Sequence, residues 1–304
     1  MYIVKHKNIF IWVSIVLVVL SIISMITFGF RPGIDFKGGT AIEVSWDVGN
    51  RPDVDSIKKS ISYFPNAPEV LVQPLGANAY ELKMHEITPN EREALTAVIG
   101  TNNPGMVVKS YTTIGPSVGR ELARKSIMSI ILVSLGIVLF IAFSFRKVSK
   151  PVSSWKYGIT AIVTLLHDVA IPTGVFVALS YFYNIEIDTL FVVSLLTILG
   201  LSVSDTIVVF DRIRENLRSK NNGDFTEIVG KSITEVYQRS IATATTVILV
   251  LIALAVWGPE STRLLAIMLT AGMFFGTYSS IFLASPLLIV WQEYSNKNKS
   301  PKKA

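Results

Sequence analysis

The most prominent feature of the sequence is a set of six apolar stretches, at about residues 9–29, 126–145, 158–181, 187–210, 241–257 and 264–290. An α-helix rises about 1.5 Å per residue, so roughly 20 apolar residues cross the ~30 Å hydrocarbon core of a bilayer. The pattern therefore predicts six transmembrane helices. We interpret the first, within residues 1–29, as an uncleaved anchor, because it runs into Arg31 and Pro32 without the small-residue cleavage site of a signal peptide.

Residues 30–125 have the pattern of a small folded domain. Alternating polar and apolar residues predict strands, and apolar residues three or four apart predict helices. The predicted elements are a strand at 40–46, a helix at 54–64, strands at 69–75 and 79–87, a helix at 88–99 and a strand at 106–114. The order β-α-β-β-α-β is that of the ferredoxin-like fold. We therefore predict an all-α membrane region with one α+β ferredoxin-like extracytoplasmic domain.

The composition supports a membrane protein and excludes several kinds of site. Half of the 304 residues are hydrophobic and 16% are charged, against about 25% charged in an average soluble domain. There are no cysteines, so disulfides and thiolate chemistry are excluded. The three histidines have no metal-site spacing, and we expect neither a metal nor a cofactor.

The distribution of Lys and Arg predicts the orientation. The segments 1–8, 146–157, 211–240 and 291–304 carry 16 basic residues, whereas the short loops 182–186 and 258–263 carry only Arg263. Because short cytoplasmic loops are enriched in Lys and Arg, both termini are predicted to be cytoplasmic. The predicted organisation is a first helix in 1–29, an outer domain at 30–125, helices two to six in 126–290 and a basic cytoplasmic tail at 291–304. The basic surplus is then a topology signal, and no nucleic-acid partner is expected.

Asp205 is the clearest candidate for membrane chemistry, because a carboxylate inside a transmembrane helix is costly. The nearest cation on its own helix is Arg212, seven residues on. Burial favours the protonated carboxyl and a nearby cation opposes it, and a group balanced between these two effects suits a proton relay. The alternative is a structural carboxylate bonded to Ser or Thr.

Depth suggests a partner for Asp205. If the helix enters near Ile187, Asp205 lies roughly 27 Å along it, towards the cytoplasmic side. Arg239 begins the fifth helix at about that level, so an Asp205–Arg239 pair across helices is geometrically allowed. The alternative for Arg239 is an ordinary cytoplasmic anchor.

Asp168 is a second carboxylate within an apolar stretch. Pro172, four residues later, frees a backbone carbonyl at this level and is expected to bend the helix. Functional and structural interpretations of Asp168 both remain open. His167 points about 100° away around the helix and is expected to pack or to form a hydrogen bond.

Glycines mark turns and helix contacts. Lys37 precedes Gly38 and Gly39, which is the wrong order for a nucleotide-binding loop, so we predict a tight turn there. Gly272 and Gly276 form a G-x-x-x-G pattern that permits close approach of helices. Gly200, on the fourth helix, is also interpreted as a helix-packing residue.

Several segments together resemble the SecD/SecF family of the resistance–nodulation–division superfamily. They are residues 30–40 (FRPGIDFKGGT), 114–119 (IGPSVG), 166–168 (LHD) and 204–216 (SDTIVVFDRIREN), and the Arg239-Ser240 pair also fits. These segments span nearly the whole chain in the family's order. They include positions that we interpret as structural, namely Gly33, Asp35, Gly38, Gly39, Gly115 and Pro116.

The resemblance implies a subunit of bacterial protein export. Such a chain would pair with SecD into a pseudo-symmetric twelve-helix unit in the cytoplasmic membrane, surrounded by lipid. It would act with the SecYEG translocon and its associated membrane subunits on a translocating preprotein. Asp205 and Arg239 match family positions assigned to proton passage, and Asp168 lies in a family motif. The implied energy source is the proton gradient, which yields about 2.3 kcal/mol per charge per 100 mV.

Two other functions compete with this one. A small-molecule or lipid exporter of the same superfamily would usually have two six-helix halves and larger outer domains. A scaffold that only stabilises the translocon has little use for an unpaired carboxylate in lipid. An enzyme is not expected, because the sequence shows no nucleophile–base or metal constellation.

Overall fold

The computed structural model describes residues 2–65, 67–144, 154–219 and 224–299. The chain divides into two compact units. The membrane unit comprises Met1–Gly29, Ser129–Tyr181 and Leu190–Ala304, and the sheet unit comprises Phe30–Met128 and Phe182–Thr189. The predicted cytoplasmic segment 146–157 and the tail 291–304 lie partly outside the described residues.

Helices dominate the described chain. They are α1 Tyr2–Lys5, α2 Lys7–Phe28, α3 Ile34–Lys37, α4 Val54–Ser62, α5 Pro89–Asn102, α6 Pro116–Ser144, α7 Ser154–Tyr183, α8 Thr189–Ser219, α9 Phe225–Trp257, α10 Glu260–Ser279 and α11 Ser285–Lys299. A π-helical turn, Ser280–Ala284, joins α10 to α11, and we call α10, this turn and α11 together the last span. The strands are β1 Gly39–Ser45, β2 Leu71–Leu75, β3 Ala79–Met84 and β4 Val107–Ile114.

Six helices of the described chain are long and apolar enough to cross a membrane, which confirms the predicted number. They are α2, α6, α7, α8, α9 and the last span. Several helices extend well beyond the predicted apolar stretches: α6 begins at Pro116 and α8 continues to Ser219. The apolar pattern marks only the lipid-matched part of a helix, whereas backbone hydrogen bonding continues through polar residues.

The core of the membrane unit is formed by α7, α8 and the last span. Half or more of the most apolar window of each is buried, against 11% or less for α2, α6 and α9. Tyr157 on α7 packs edge-to-face on Phe210 of α8, with ring centroids 5.3 Å apart. Asp168 and Asp205 therefore lie on the helices that form this core.

The sheet unit contains the predicted element order. Its four strands form one antiparallel sheet in the order β2-β3-β1-β4. The central strand β1 pairs with β3 and β4, in registers that place Ile42 opposite Leu82 and Tyr111. The helices α4 and α5 are packed against each other and complete the core, which includes Ile42, Val44, Trp46, Ile57, Leu82, Leu95 and Ile99. Side-chain caps fix both helix starts, from Asp53 to the Ser56 amide and from Thr88 to the Glu91 amide.

The sheet unit is larger than the predicted domain at 30–125. It extends three residues further along α6, to Met128, and includes from much later in the chain the segment Phe182–Thr189, which contains the loop between α7 and α8. The sequence pattern did not predict this addition, because the loop joins the unit through hydrogen bonds and not through a hydrophobic repeat.

Candidate functional site

Asp168 is fully buried, and its carboxylate accepts hydrogen bonds from three side chains. His167 Nδ1 lies 2.8 Å from Oδ1. Ser279 Oγ lies 2.7 Å from Oδ2, and Ser202 Oγ donates to the same oxygen. These donors come from α7, from the end of α10 and from α8, so three elements of the core meet at this one carboxylate.

His167 belongs to the same site as Asp168, although the two residues point about 100° apart on the helix. Its Nδ1 reaches the neighbouring carboxylate, and its ring lies over Tyr278 with centroids 6.2 Å apart. Its Nε2 is buried and has no hydrogen-bond partner among the described residues. The expectation of a hydrogen-bonding role is met, and the helical angle alone did not reveal the partner.

Asp205 is half-buried and is held by two hydroxyl groups. Ser240 Oγ on α9 lies 2.7 Å from Oδ1, and Ser280 Oγ at the start of the π-helical turn lies 2.6 Å from Oδ2. Among the described residues no cation forms an ion pair with this carboxylate. Asp205 therefore has neutral donors in the arrangement observed.

The predicted pairing of Arg239 with Asp205 is not present in this structure. Arg239 is exposed and forms no ion pair with the described part of the chain. The next residue, Ser240, makes the contact instead. Adjacent helical residues point about 100° apart, so Ser240 faces Asp205 in this arrangement while Arg239, at the same level of α9, does not. The predicted role of Arg239 in proton passage stays a prediction.

Four serines complete the two sites: Ser202, Ser240, Ser279 and Ser280. The sequence drew attention to Ser240 only through the family resemblance, and it predicted none of the four as the partner of a particular carboxylate. Serines are common in transmembrane helices, so their presence alone carries little information. Ser279 and Ser280 are consecutive, and Ser202 lies one turn before Asp205. These spacings could have suggested the serines as partners of the carboxylates. Only the packing of α7, α8, α9 and the last span shows which carboxylate each serine faces.

The segment at 30–40 binds the loop between α7 and α8 inside the sheet unit. Asp35 Oδ2 accepts a 2.8 Å hydrogen bond from the backbone N–H of Thr189 and a second one from its hydroxyl. Lys37 Nζ forms a 2.8 Å ion pair with Glu186. Because Thr189 is the first residue of α8, Asp35 caps that helix from a distant part of the sequence.

Backbone hydrogen bonds reinforce the same contact. The Gly33 amide donates to the Ile187 carbonyl and the Ile187 amide donates to the Arg31 carbonyl, both at 2.8 Å. A Cβ at Gly33 would lie 2.9 Å from that Ile187 carbonyl oxygen. Glycine at position 33 is therefore explained by a close backbone approach.

Gly38 and Gly39 form the tight turn expected between α3 and β1. Their φ angles are +83° and +147°, and a Cβ at Gly38 would lie 2.8 Å from Pro116 Cα. The Gly38 and Pro116 motif positions are thus in direct contact. Gly115 is different, since no atom lies within 4 Å of its Cβ position and φ is not positive.

The G-x-x-x-G pattern of α10 faces α8. A Cβ at Gly272 would lie 2.2 Å from Ile198 Cγ1, and one at Gly276 would lie 3.1 Å from Ser202 Cβ. Gly276 therefore allows the approach that places Ser202 beside Asp168. Gly200 does not pack on another helix of this chain: it is exposed, with nothing within 4 Å of its Cβ position. The sequence pattern cannot distinguish an inward-facing glycine from an outward-facing one.

Metal ligation finds no support in the part of the chain that is described. No group of three or more His, Cys, Asp or Glu side chains there could hold an ion. The carboxyl groups of the site can bind and release protons, and the serine hydroxyl groups around them can donate or accept hydrogen bonds.

Both the membrane site and the segment at 30–40 lie in regions of the chain that match families of known proteins. The family described as "Protein export membrane protein SecD/SecF, C-terminal" matches residues 95–294. The family described as "SecD/SecF GG Motif" matches residues 23–45. Protein translocase subunit SecF of Thermobaculum terrenum is 39% identical over 303 residues, which cover 95% of this chain and 93% of that protein.

The chain belongs to the SecD/SecF family. Among solved structures it is similar to SecDF of Thermus thermophilus, described as a translocon-associated membrane protein, with a TM-score of 0.83 and 29% identity over 96% of this chain. It spans 39% of that SecDF chain. The curated SecDF of the same organism is 31% identical over 281 residues, which cover 90% of this chain and 36% of that protein.

As a SecF-type member of the SecD/SecF family, the chain is an accessory subunit of Sec protein export. Asp168, Asp205, Arg239 and the four serines all lie within the matched residues 95–294. Asp35 and the glycines at its turn lie within the matched motif at 23–45. Both clusters of polar contacts therefore belong to the parts of the chain that are characteristic of the family.

Proposed function

We propose that this subunit, paired with SecD, uses the proton gradient to promote preprotein translocation, and that Asp205 carries the proton. The main support is the environment of Asp205, a half-buried carboxylate on a membrane-spanning helix with hydroxyl donors from Ser240 and Ser280. An ionised carboxylate without a cation is costly in a bilayer. Uptake of a proton removes that cost, so the charge of Asp205 can respond to the gradient.

In this proposal Arg239 does not form a permanent ion pair with Asp205 but is attracted to it only when Asp205 is charged. It is exposed, one residue from the serine that holds Asp205. Deprotonation of Asp205 creates a negative charge that attracts Arg239, and protonation releases it, so each cycle shifts α9 against α8. One charge crossing the membrane supplies about 2.3 kcal/mol per 100 mV, enough to bias two helix arrangements.

Asp168 is proposed as a second proton-carrying group. Its side chain is fully buried, and His167, Ser202 and Ser279 donate hydrogen bonds to it. A purely structural carboxylate would also need such donors. The two roles differ in whether Asp168→Asn, which preserves size, abolishes the effect of the gradient.

The proposed setting is the bacterial cytoplasmic membrane, with both termini cytoplasmic and the sheet unit outside. The sheet order β2-β3-β1-β4 supports a ferredoxin-like fold for that unit. The exposed face of α8, with Thr197, Gly200 and Ser204, is more polar than a lipid-facing surface and favours coverage by the six helices of SecD. SecYEG, its associated membrane subunits, lipid and the preprotein are the further proposed partners, with no cofactor, no enzymatic activity and no nucleic acid.

The decisive test is preprotein export in membrane vesicles that contain the subunit with SecD and SecYEG. Asp205→Asn preserves size but cannot cycle a proton, so we expect export to lose its stimulation by the gradient while the complex still assembles. Asp211→Asn is the matched control, because Asp211 is an exposed carboxylate on the same helix, ion-paired with Arg214 at 3.4 Å. Undiminished stimulation in Asp205→Asn would favour the alternative function, a scaffold of the translocon.

A further inference from the structure

Two consecutive serines of the last span hold the two carboxylates. Ser279 Oγ lies 2.7 Å from Asp168 Oδ2, and Ser280 Oγ lies 2.6 Å from Asp205 Oδ2. Both serines are fully buried. Because they are neighbours on one backbone, a displacement that moves one serine away from its carboxylate also moves the other.

The helix α8 provides a second connection between the carboxylates. It carries Asp205, and one turn earlier it carries Ser202, which donates to Asp168. The last span and α8 therefore each contribute one group to each site. A change in the position of either element affects both carboxylates at once.

Each of the two consecutive serines has an alternative acceptor on its own helix. Ser279 Oγ lies 3.0 Å from the Gly276 carbonyl oxygen, and Ser280 Oγ lies 3.0 Å from that of Thr277. A hydroxyl group has one hydrogen to donate and two lone pairs to accept with. When the carboxyl is protonated, its O–H donates to the serine oxygen, and the serine hydrogen turns to the helix carbonyl. The hydrogen bond between serine and carboxyl group therefore exists in both protonation states, but the serine is the donor in one state and the acceptor in the other.

The alternative acceptors lie where the helix changes its hydrogen-bonding pattern. The Gly276 carbonyl, which Ser279 can reach, also accepts the backbone N–H of Ser280, the first residue of the π-helical turn. A serine hydroxyl that turns to this carbonyl competes with the backbone bond there. Single π-helical turns inside α-helices are frequent at functional sites.

We propose that Asp168 and Asp205 take up protons as a coupled pair, and that Ser279 and Ser280 are the positioning residues that couple them. This rests on the proposed function, in which Asp205 carries a proton. Three other titratable or charged groups lie near the pair. His167 of α7 contacts Asp168, and Tyr278 of the last span lies against the His167 ring. Arg239 of α9 is the residue before Ser240, which contacts Asp205. The helix α2 contributes an uncharged contact, the Phe10 carbonyl that accepts from Tyr278.

The test is a pH titration of the carboxyl C=O infrared bands, in the subunit reconstituted with SecD in lipid. The band of each site is assigned by its loss in Asp168→Asn or Asp205→Asn. Of the two carboxylates, Ser279→Ala removes a hydroxyl contact to Asp168 alone, and Ser280→Ala removes one to Asp205 alone. We expect each variant to shift the midpoint of its own band by about one pH unit and to shift the midpoint of the other band as well.

Ser285→Ala is the matched control. Ser285 is fully buried in the same span, and its hydroxyl has no partner among the described residues, so both midpoints should stay unchanged. If Ser279→Ala shifts only the Asp168 band and Ser280→Ala only the Asp205 band, the sites are independent and the proposal is wrong. It is equally wrong if neither variant shifts a band.

A further variant tests the coupling even if the serine variants do not fold. Asp168→Asn alone should shift the midpoint of the Asp205 band, and an unchanged midpoint would contradict coupling. Whether Asp205→Asn removes the gradient stimulation of export is measured separately. That result decides the proposed function whichever way the serine variants behave.

Discussion

Asp35 caps α8 through two hydrogen bonds from Thr189, one from the backbone N–H and one from the hydroxyl. The carboxylate lies in the segment at 30–40, and the helix that it caps carries Asp205 about four turns further on. Asp35 and the first residue of that helix, Thr189, belong to the same compact unit. This contact gives the family's glycine motif a specific physical role.

We expect Asp35→Ala to destabilise the start of α8 by about 1 kcal/mol, the typical value of a side-chain cap. Hydrogen exchange of the amides at 189–192 measures the effect. Asp47→Ala is the control, because Asp47 lies in an exposed turn of the same unit. Equal protection of these amides in wild type and Asp35→Ala would show that the cap contributes nothing.

The turn at Gly38 combines two constraints that a pair of variants can separate. Gly38 and Gly49 both have positive φ, at +83° and +88°, but only Gly38 has close neighbours, with its Cβ position 2.8 Å from Pro116 Cα. Gly49→Ala should cost about 1–2 kcal/mol of unfolding free energy from backbone strain alone. Gly38→Ala should cost clearly more, measured by thermal unfolding of the full chain in detergent. Equal costs would mean that the contact with Pro116 yields without penalty.

The packing of α10 on α8 predicts a compensating pair of substitutions. A Cβ at Gly272 would lie 2.2 Å from Ile198 Cγ1, so Gly272→Ala overpacks the core, at a typical cost of about 1–3 kcal/mol. Adding Ile198→Ala should recover part of that loss, which a double-mutant cycle measures. Gly136→Ala is the control on α6, where nothing lies within 4 Å and a helical alanine should be neutral or stabilising. Strict additivity of the two core substitutions would contradict direct contact.

The exposed polar face of α8 predicts where SecD binds. The chain has no cysteine, so single cysteines at Thr197, Gly200 or Ser204 can be cross-linked without a background. We expect these positions to cross-link to SecD, because Gly and Ser allow close helix approach whereas lipid contact gains nothing from them. Leu135→Cys on α6 is the control, since it is an exposed apolar residue on a helix with a largely apolar surface. Stronger cross-linking from position 135 would place the partner on α6 instead.

The start of α5 should respond to pH. The backbone and side-chain hydrogen bonds from Thr88 lower the pKa of Glu91 below its usual value. A lowered pKa in the folded state means that the stabilisation is present above the usual carboxyl pKa and is lost as the pH falls through the lower, folded value. The protection factors of the amides in the first turn of α5, which correct for the intrinsic pH dependence of hydrogen exchange, should therefore decrease on acidification in wild type. Glu91→Gln cannot titrate, so a pH response of equal size in that variant would contradict the assignment.

The apolar stretches by themselves predicted six membrane-spanning helices, because crossing a bilayer needs a run of a certain length and little else. The element order of the sheet unit was also predictable, since strand alternation, helical spacing and the Thr88–Glu91 cap are local signals. Asp168 and Asp205 stood out for a similar reason, as an isolated carboxylate in an apolar helix is costly wherever its partners lie.

Only the tertiary structure decided the partners of those carboxylates. Ser240, and not Arg239, faces Asp205, because a rotation of 100° separates neighbouring residues on α9 and the sequence does not fix how α9 is rotated. For the same reason the sequence did not predict the hydrogen bond between His167 and Asp168 or the distant cap from Asp35 to Thr189. Hydrophobicity determines which segments enter the membrane, whereas the orientation of each polar side chain depends on how all the helices pack together.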